Sequence, residues 1–230
     1  MPKAPRSQED IDFIRGRILD EALAIISEQG FKQFSMRKLA SRLGMTATTI
    51  YNYYSSKDEL YLMILTKGFD ELAQSLEKID RTVPVPRDKI RDMIRAYVDY
   101  GIGNSHYYNI MFTSDAPKYR DYVGTTIEPV ASFEKSTALK LIDITSGMVR
   151  GILRKSGIPD ETIRYSILRL WTSLHGIIAL YNSRVLHEVE DDPSTTVEHM
   201  VNDLITSFQD LFARRESLQE NRKNKRMPVG

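Results

Sequence analysis

The sequence predicts an all-α protein, a small N-terminal three-helix unit followed by a larger helical body. Two observations predict it. Apolar residues recur at three- and four-residue spacing along nearly the whole chain, with no strand alternation and no hairpin signal. The breaks carry helix punctuation, with Ser, Thr or Asp where a stripe begins and Gly or Pro where it ends. No internal repeat is present.

The elements follow in order. Ser7, with Asp10 three residues on, opens a first helix whose stripe is Ile11, Ile14, Ile18, Ala22, Leu23 and Ile26. Gly30 ends it, in the place of a left-handed C-cap. Ser35 caps a second helix, with Leu39, Ala40 and Leu43 inward, and Gly44 stops it. Thr46 caps a short third helix reaching about Tyr53, and Ser56-Lys57-Asp58-Glu59 reads as a full capping box for a long fourth. The first real break is Arg81 to Pro86. A fifth helix carries Ile90, Met93, Ile94, Tyr97 and Val98, and a short sixth covers His106 to about Thr113. Residues 114–124 read as a loop, and a long seventh helix runs from about Pro129 to Lys155, closed by Gly157 and Pro159. An eighth spans Asp160 to His187, and the last runs from Pro193, which suits a first helical turn, to about Arg215. The polar segment from Glu216, basic at Arg222, Lys223, Lys225 and Arg226, reads as an unstructured tail. The expected divisions are 1–60, 61–215 and 216–230.

Composition narrows the function. At 41% apolar and 27% charged residues, the 230-residue chain matches a soluble globular protein and is too apolar for a disordered one. The absence of cysteine excludes disulfides and thiolate metal sites. No apolar run approaches the ~18 residues of a membrane span, and Met1 to Asp12 is too polar for a secretory signal. The cytoplasm is the expected location, with no membrane partner. Net charge is only +1, but residues 31–57 hold Lys32, Arg37, Lys38, Arg42 and Lys57 with no acidic residue. Such a local basic patch is the electrostatic footprint of a nucleic-acid surface, and equally of a solvated face.

The same stretch carries the strongest motif. Two short helices meet at Gly44, where glycine permits the positive φ of a sharp turn. Leu39, Leu43, Met45, Ile50 and Tyr54 can hold the pair against the first helix. The third helix then has a free face of Ala47, Thr48, Tyr51 and Asn52, between Thr46, Thr49 and Tyr53. These groups are small or neutral and hydrogen-bonding, as a helix in a DNA major groove requires. Arg37, Tyr53 and Lys57 lie near helix ends and suit phosphates, Lys57 beside the free N–H groups of the fourth helix.

Leu39-Ala40, Gly44, Thr49-Ile50-Tyr51 and Lys57-Asp58-Glu59-Leu60, with the upstream Gly30-Phe31 turn, resemble the DNA-binding domain of the TetR family over about residues 10–62. Tyr53 and Tyr54 stand where that family often has His and Phe. The resemblance implies an N-terminal helix-turn-helix domain on a helical ligand-binding and dimerisation domain. It also implies a homodimer on double-stranded operator DNA and release by a small-molecule effector, most often as a repressor. Residues 87–215 resemble the family's C-terminal domain more weakly, and Trp171, His175 and Gly176 are similar to the Trp-His-Gly motif of one subgroup.

In the larger body, Tyr97, Tyr108, Phe112, Met148, Trp171 and His175 are the candidates for an effector pocket, and they suit an apolar core equally well. A pocket of this composition would take a largely apolar ligand. The eighth helix is apolar on nearly every side and the last has a broad stripe. A monomer's surface helix should not be so, which predicts a twofold four-helix interface through Leu170, Ile177, Tyr181, Val201, Leu204, Phe208 and Leu211. No enzyme motif competes. His106, His175, His187 and His199 form no helical metal pair, phosphate-binding and nucleophile-elbow motifs are absent, and neither metal nor cofactor is expected. The alternative is an all-α ligand-binding or scaffold protein without specific DNA recognition.

Overall fold

The computed structural model describes residues 7–155 and 159–224; Gly157, read as a helix stop, lies outside them. The described residues are helical, with turns and loops and no strand. The helices are α1 (Gln8–Gln29), α2 (Met36–Arg42), α3 (Ala47–Tyr51), α4 (Lys57–Thr82), α5 (Pro86–Gly103), α6 (Ser105–Tyr108), α7 (Glu128–Lys155), α8 (Asp160–Asn182), α9 (Val185–Val189) and α10 (Pro193–Asn224). A π-helical turn, Asn109–Thr113, continues α6.

Local chemistry sets most boundaries. Ser7 and Asp10 form a reciprocal capping box at α1. Gly30 takes φ +78° as expected, but its ψ of 158° is extended rather than left-handed helical, and the chain passes straight into a 3-10 turn at Phe31–Gln33. The box at α4 is displaced by one residue. Ser56 Oγ accepts from the Glu59 N–H, while the Glu59 carboxylate reaches back to the N–H and hydroxyl of Ser55, not of Ser56.

Two departures concern continuity. The eighth helix was expected to run to His187, but α8 ends at Asn182 and α9 starts afresh. Arg184 adopts a left-handed conformation, φ +63°, and the Asn182 amide turns away to donate to the Gly101 carbonyl at 2.9 Å. At the other end α10 reaches Asn224, so residues 216–224 are helical rather than a free tail. They contain neither Gly nor Pro to stop a helix. Residues 225–230 lie outside the described residues.

The chain forms two compact units. The first takes residues up to Glu71 together with Asn104–Lys140; the second takes Leu72–Gly103 and residues from Leu141 on. Both α4 and α7 therefore continue from one unit into the other. In the first unit Ile18, Ala22, Ile25, Leu39, Ile50, Leu60, Tyr61 and Ile64 are buried. The turn after α6 lies so close to α4 that a Cβ on Gly68 would sit 2.7 Å from Met111 Sδ and 2.9 Å from Tyr107 Cδ1.

The second unit is layered around α8, which packs against α5, α9 and α10. Part of the expected interface is already covered within the single chain. Leu170, Ile177, Val201 and Phe208 are buried inside the single chain, and Arg169 of α8 lies over the Phe208 ring. A helix apolar all round is one sandwiched on several sides, and here α5 and α10 do the covering. Tyr181 and Leu204 are only half-buried, and Leu211 lies outside the residues whose side chains are described. The face that α8 leaves open carries Leu168, Thr172, Gly176 and Leu180, four residues apart, with Met200 exposed on α10.

Candidate nucleic-acid interface and ligand cavity

The turn between α2 and α3 is built by its backbone. Gly44 takes φ +65°; its N–H donates to Ser41 O, and the Met45 N–H reaches Ala40 O at 2.8 Å. This is the double closure of a Schellman motif, which needs a residue without a Cβ penalty at Gly44. Ser35 caps α2 by accepting from the Lys38 N–H, and Thr46 caps α3 by accepting from the Thr49 N–H. Inside the angle, Ile50 and Tyr54 are buried, and the Tyr54 hydroxyl donates to Arg15 O of α1 at 3.3 Å under the Arg15 guanidinium.

That anchorage fixes what α3 shows to solvent. Thr46, Thr48, Tyr51 and Asn52 are exposed, and Ala47, Thr49 and Tyr53 are half-exposed. Tyr51 leaves 51% of its surface open, a large aromatic on a five-residue helix with no acidic neighbour. A helix cannot gain stability from an exposed tyrosine in this way, so the side chain is free for a partner.

The five cations of the basic stretch are not equivalent. Lys32 pairs with Asp115 at 2.7 Å, and Arg42 is held between Glu21 and Glu28 at 2.6 and 2.7 Å. Lys38 donates to Gln29 and to Gln33 O, and Lys57 donates to Phe31 O at 2.8 Å while lying over the Phe31 ring. Arg37, exposed at the start of α2, is held by none of the described residues. The local charge counted along the sequence is thus answered in part by acids from α1 and from the 114–118 loop.

The six candidate pocket residues separate. Tyr108 and Phe112 belong to the first unit, where Phe112 stacks on Phe69 and Tyr108. Met148 lines an open polar cleft of about 720 Å³ in the second unit, with Glu77, Asp80, Arg81, Lys89 and Asp143. Tyr97, Trp171 and His175 do come together. The Trp171 indole N–H donates to Tyr97 Oη at 3.2 Å, and Tyr97 Oη lies 3.2 Å from His175 Nε2. Burial pulls the His175 pKa below its ordinary value, which favours the neutral ring.

Beside this triad α5, α7 and α8 enclose a cavity of about 210 Å³, lined by Met93, Tyr97, Ile142, Thr145, Ser146, Val149, Ile167, Leu168, Leu170, Trp171 and Leu174. His175 touches two of the wall residues, Tyr97 and Trp171, and is not itself in the wall. The α7 residues were not among the candidates. Their signal is present in the sequence, since Ile142, Thr145, Ser146 and Val149 recur at helical spacing, but nothing marks that face as a cavity rather than a core.

A helix-turn-helix with a free, acid-free second helix, carried by a chain with a separate helical unit that encloses an apolar cavity, defines a one-chain DNA-binding regulator. Residues 18–64 match the family described as "Bacterial regulatory proteins, tetR family", and residues 90–204 match "Tetracyclin repressor-like, C-terminal domain". The chain belongs to the TetR family, and it is a transcription regulator, not an enzyme. It is 30% identical over 101 residues to the transcriptional activator FasR of Mycolicibacterium smegmatis, a match covering 44% of this chain and 46% of FasR. It is 23% identical over 186 residues to the transcriptional regulator Rv1816 of Mycobacterium tuberculosis, covering 73% and 80%. The fold also matches the crystal structure of the regulator FadR from Bacillus subtilis in complex with stearoyl-CoA, with TM-score 0.62, 14% identity and coverage of 83% and 97%.

Proposed function

We propose that the protein is a ligand-responsive repressor that binds a palindromic operator as a homodimer and leaves it when a small, largely apolar effector occupies the second unit. The observation that carries the DNA half is the exposed face of α3, with Thr48, Tyr51 and Asn52 open and Ile50 holding the helix down. Threonine can touch a thymine methyl, and asparagine can pair with adenine. Tyr53 and Arg37 flank this face and reach phosphates. Lys57 joins them by exchanging its Phe31 carbonyl for a phosphate oxygen. Thr46, Ala47 and Thr49 complete the surface.

Dimerisation is supported by the open stripe Leu168, Thr172, Gly176 and Leu180 on α8, with Met200 exposed and Leu204 half-buried on α10 of the same unit. Among the described residues nothing lies within 4 Å of a Cβ placed on Gly176, so a helix of a second copy can approach there. We assign Trp171, His175 and Gly176 to the Trp-His-Gly type on their spacing in the sequence. The cytoplasm is the compartment such a regulator needs. An effector shifts the equilibrium only through different affinities for the bound and released states.

Selection of bound DNA from a random pool by the full-length protein tests the proposal. The expected result is a palindrome with half-site centres about 34 Å, or a multiple, apart. Recovery of no enriched sequence at low ionic strength overturns it.

A further inference from the structure

We infer that the cavity between α5, α7 and α8 selects a neutral, single-ring molecule bearing one hydroxyl, a phenol rather than an acid or an acyl thioester. This inference rests on the ligand-responsive reading and adds the chemistry of the ligand.

Size comes first. An apolar cavity of about 150 Å³ holds benzene, so the 210 Å³ here takes about eight to ten non-hydrogen atoms. A long acyl chain exceeds that roughly twofold by the same scale. Charge comes second. No wall residue is ionisable near neutral pH, and an ion brought in would lose its hydration against Ile142, Val149, Ile167 and Leu174 without a counter-charge.

Hydrogen-bond polarity comes third. The wall's donors are largely committed. The Trp171 N–H is given to Tyr97, and the Thr145 hydroxyl is given to the carbonyls of Leu141 and Ile142 at 3.0 Å each. Thr145, a wall residue, can therefore meet a ligand through Oγ1 only as an acceptor. Ser146, one residue on, keeps a hydroxyl that can give or accept. A ligand hydroxyl donates to Thr145 and accepts from Ser146. A carboxylate supplies no donor, and a hydrocarbon covers both oxygens without replacing their water. The rings of Tyr97 and Trp171 in the same wall favour an aromatic body.

Trp171 is the only tryptophan in the chain and lies in the cavity wall, so its emission reports occupancy directly in the full-length protein. The probes are 4-ethylphenol, ethylbenzene, 4-ethylbenzoate and stearoyl-CoA. We expect 4-ethylphenol to change the emission saturably and to bind about tenfold more tightly than ethylbenzene, the worth of one to two hydrogen bonds, with 4-ethylbenzoate weaker still. The double variant Thr145→Val, Ser146→Ala should erase that preference while still binding ethylbenzene, which shows that the fold survives. Tighter binding of 4-ethylbenzoate or stearoyl-CoA, a preference unchanged in the double variant, or no saturable response to 4-ethylphenol at millimolar concentration overturns the inference. Operator affinity is read in the same samples. Saturable phenol binding that leaves it unaltered keeps the cavity chemistry and rejects the effector role instead.

Discussion

Glu134 is the most informative single residue for a test of the fold's energetics. It lies on α7 in the first unit, 8% exposed, and no hydrogen bond or ion pair holds its carboxylate among the described residues. The Tyr61 hydroxyl, buried and equally without a partner among them, feels its charge and is pushed up by burial and by that charge. Burial raises the Glu134 carboxyl from 4.5 to about 7, against the opposing pull of Lys118. A raised acid pKa means the folded chain holds the proton more tightly than the unfolded chain. The stability of the folded state is therefore fullest below pH 4.5, falls as pH rises toward 7, and stays low above it. At 1.36 kcal/mol per unit, the full penalty is about 3 kcal/mol. Glu134→Gln keeps the shape and removes the titration. Denaturation of both proteins between pH 4.5 and 8 should show curves that meet at the acid end and separate by up to about 3 kcal/mol at pH 8, with the variant more stable. For a chain of this size that is a rise in Tm of roughly 6–12 °C. His175, lowered by burial, works the other way, losing stability as pH falls through its unfolded value, and it does so in both proteins. The difference between the two curves therefore isolates Glu134. Parallel curves across the whole range would refute the assignment of a protonated, buried carboxyl.

Three further outcomes are expected. Arg37→Ala should lower the salt dependence of operator binding by about one ion, whereas Arg42→Ala, whose guanidinium is held by Glu21 and Glu28, should leave the slope unchanged; anisotropy titrations at several salt concentrations separate the two. Gly68→Ala should destabilise by about 1–3 kcal/mol in thermal melts, because the Met111 thioether can yield but the buried Tyr107 ring must move as well. Tyr97→Phe removes the acceptor of the Trp171 N–H, so it should shift Trp171 emission and cost about 1–2 kcal/mol, and an unchanged spectrum would count against that bond.

What the sequence made legible was local. The caps at Ser7, Ser35 and Thr46, the turn at Gly44 and the inward set Leu39, Ile50 and Tyr54 all follow from residues within a turn or two of each other. Where the structure adds what the sequence did not show, the deciding partner is remote in sequence. Lys32 reads as a free cation until Asp115, 83 residues away, is brought to it. Tyr108 and Phe112 resemble pocket aromatics, yet Phe112 packs on Phe69 and Tyr108, in the other unit from Tyr97. Arg184 breaks α8 with neither Gly nor Pro to announce it, where the Asn182 amide has turned to the Gly101 carbonyl. The all-round apolarity of α8 shows how many of its sides are covered, but not by what. Within the chain Leu170, Ile177, Val201 and Phe208 are buried, while the stripe Leu168, Thr172, Gly176 and Leu180 stays open on α8, as do Tyr165 and Trp171. The surface open to a second copy is therefore narrower than periodicity implies. In the proposed dimer a bulky side chain in place of Gly176 would keep a second helix at a distance, an effect that no change in the buried core could imitate.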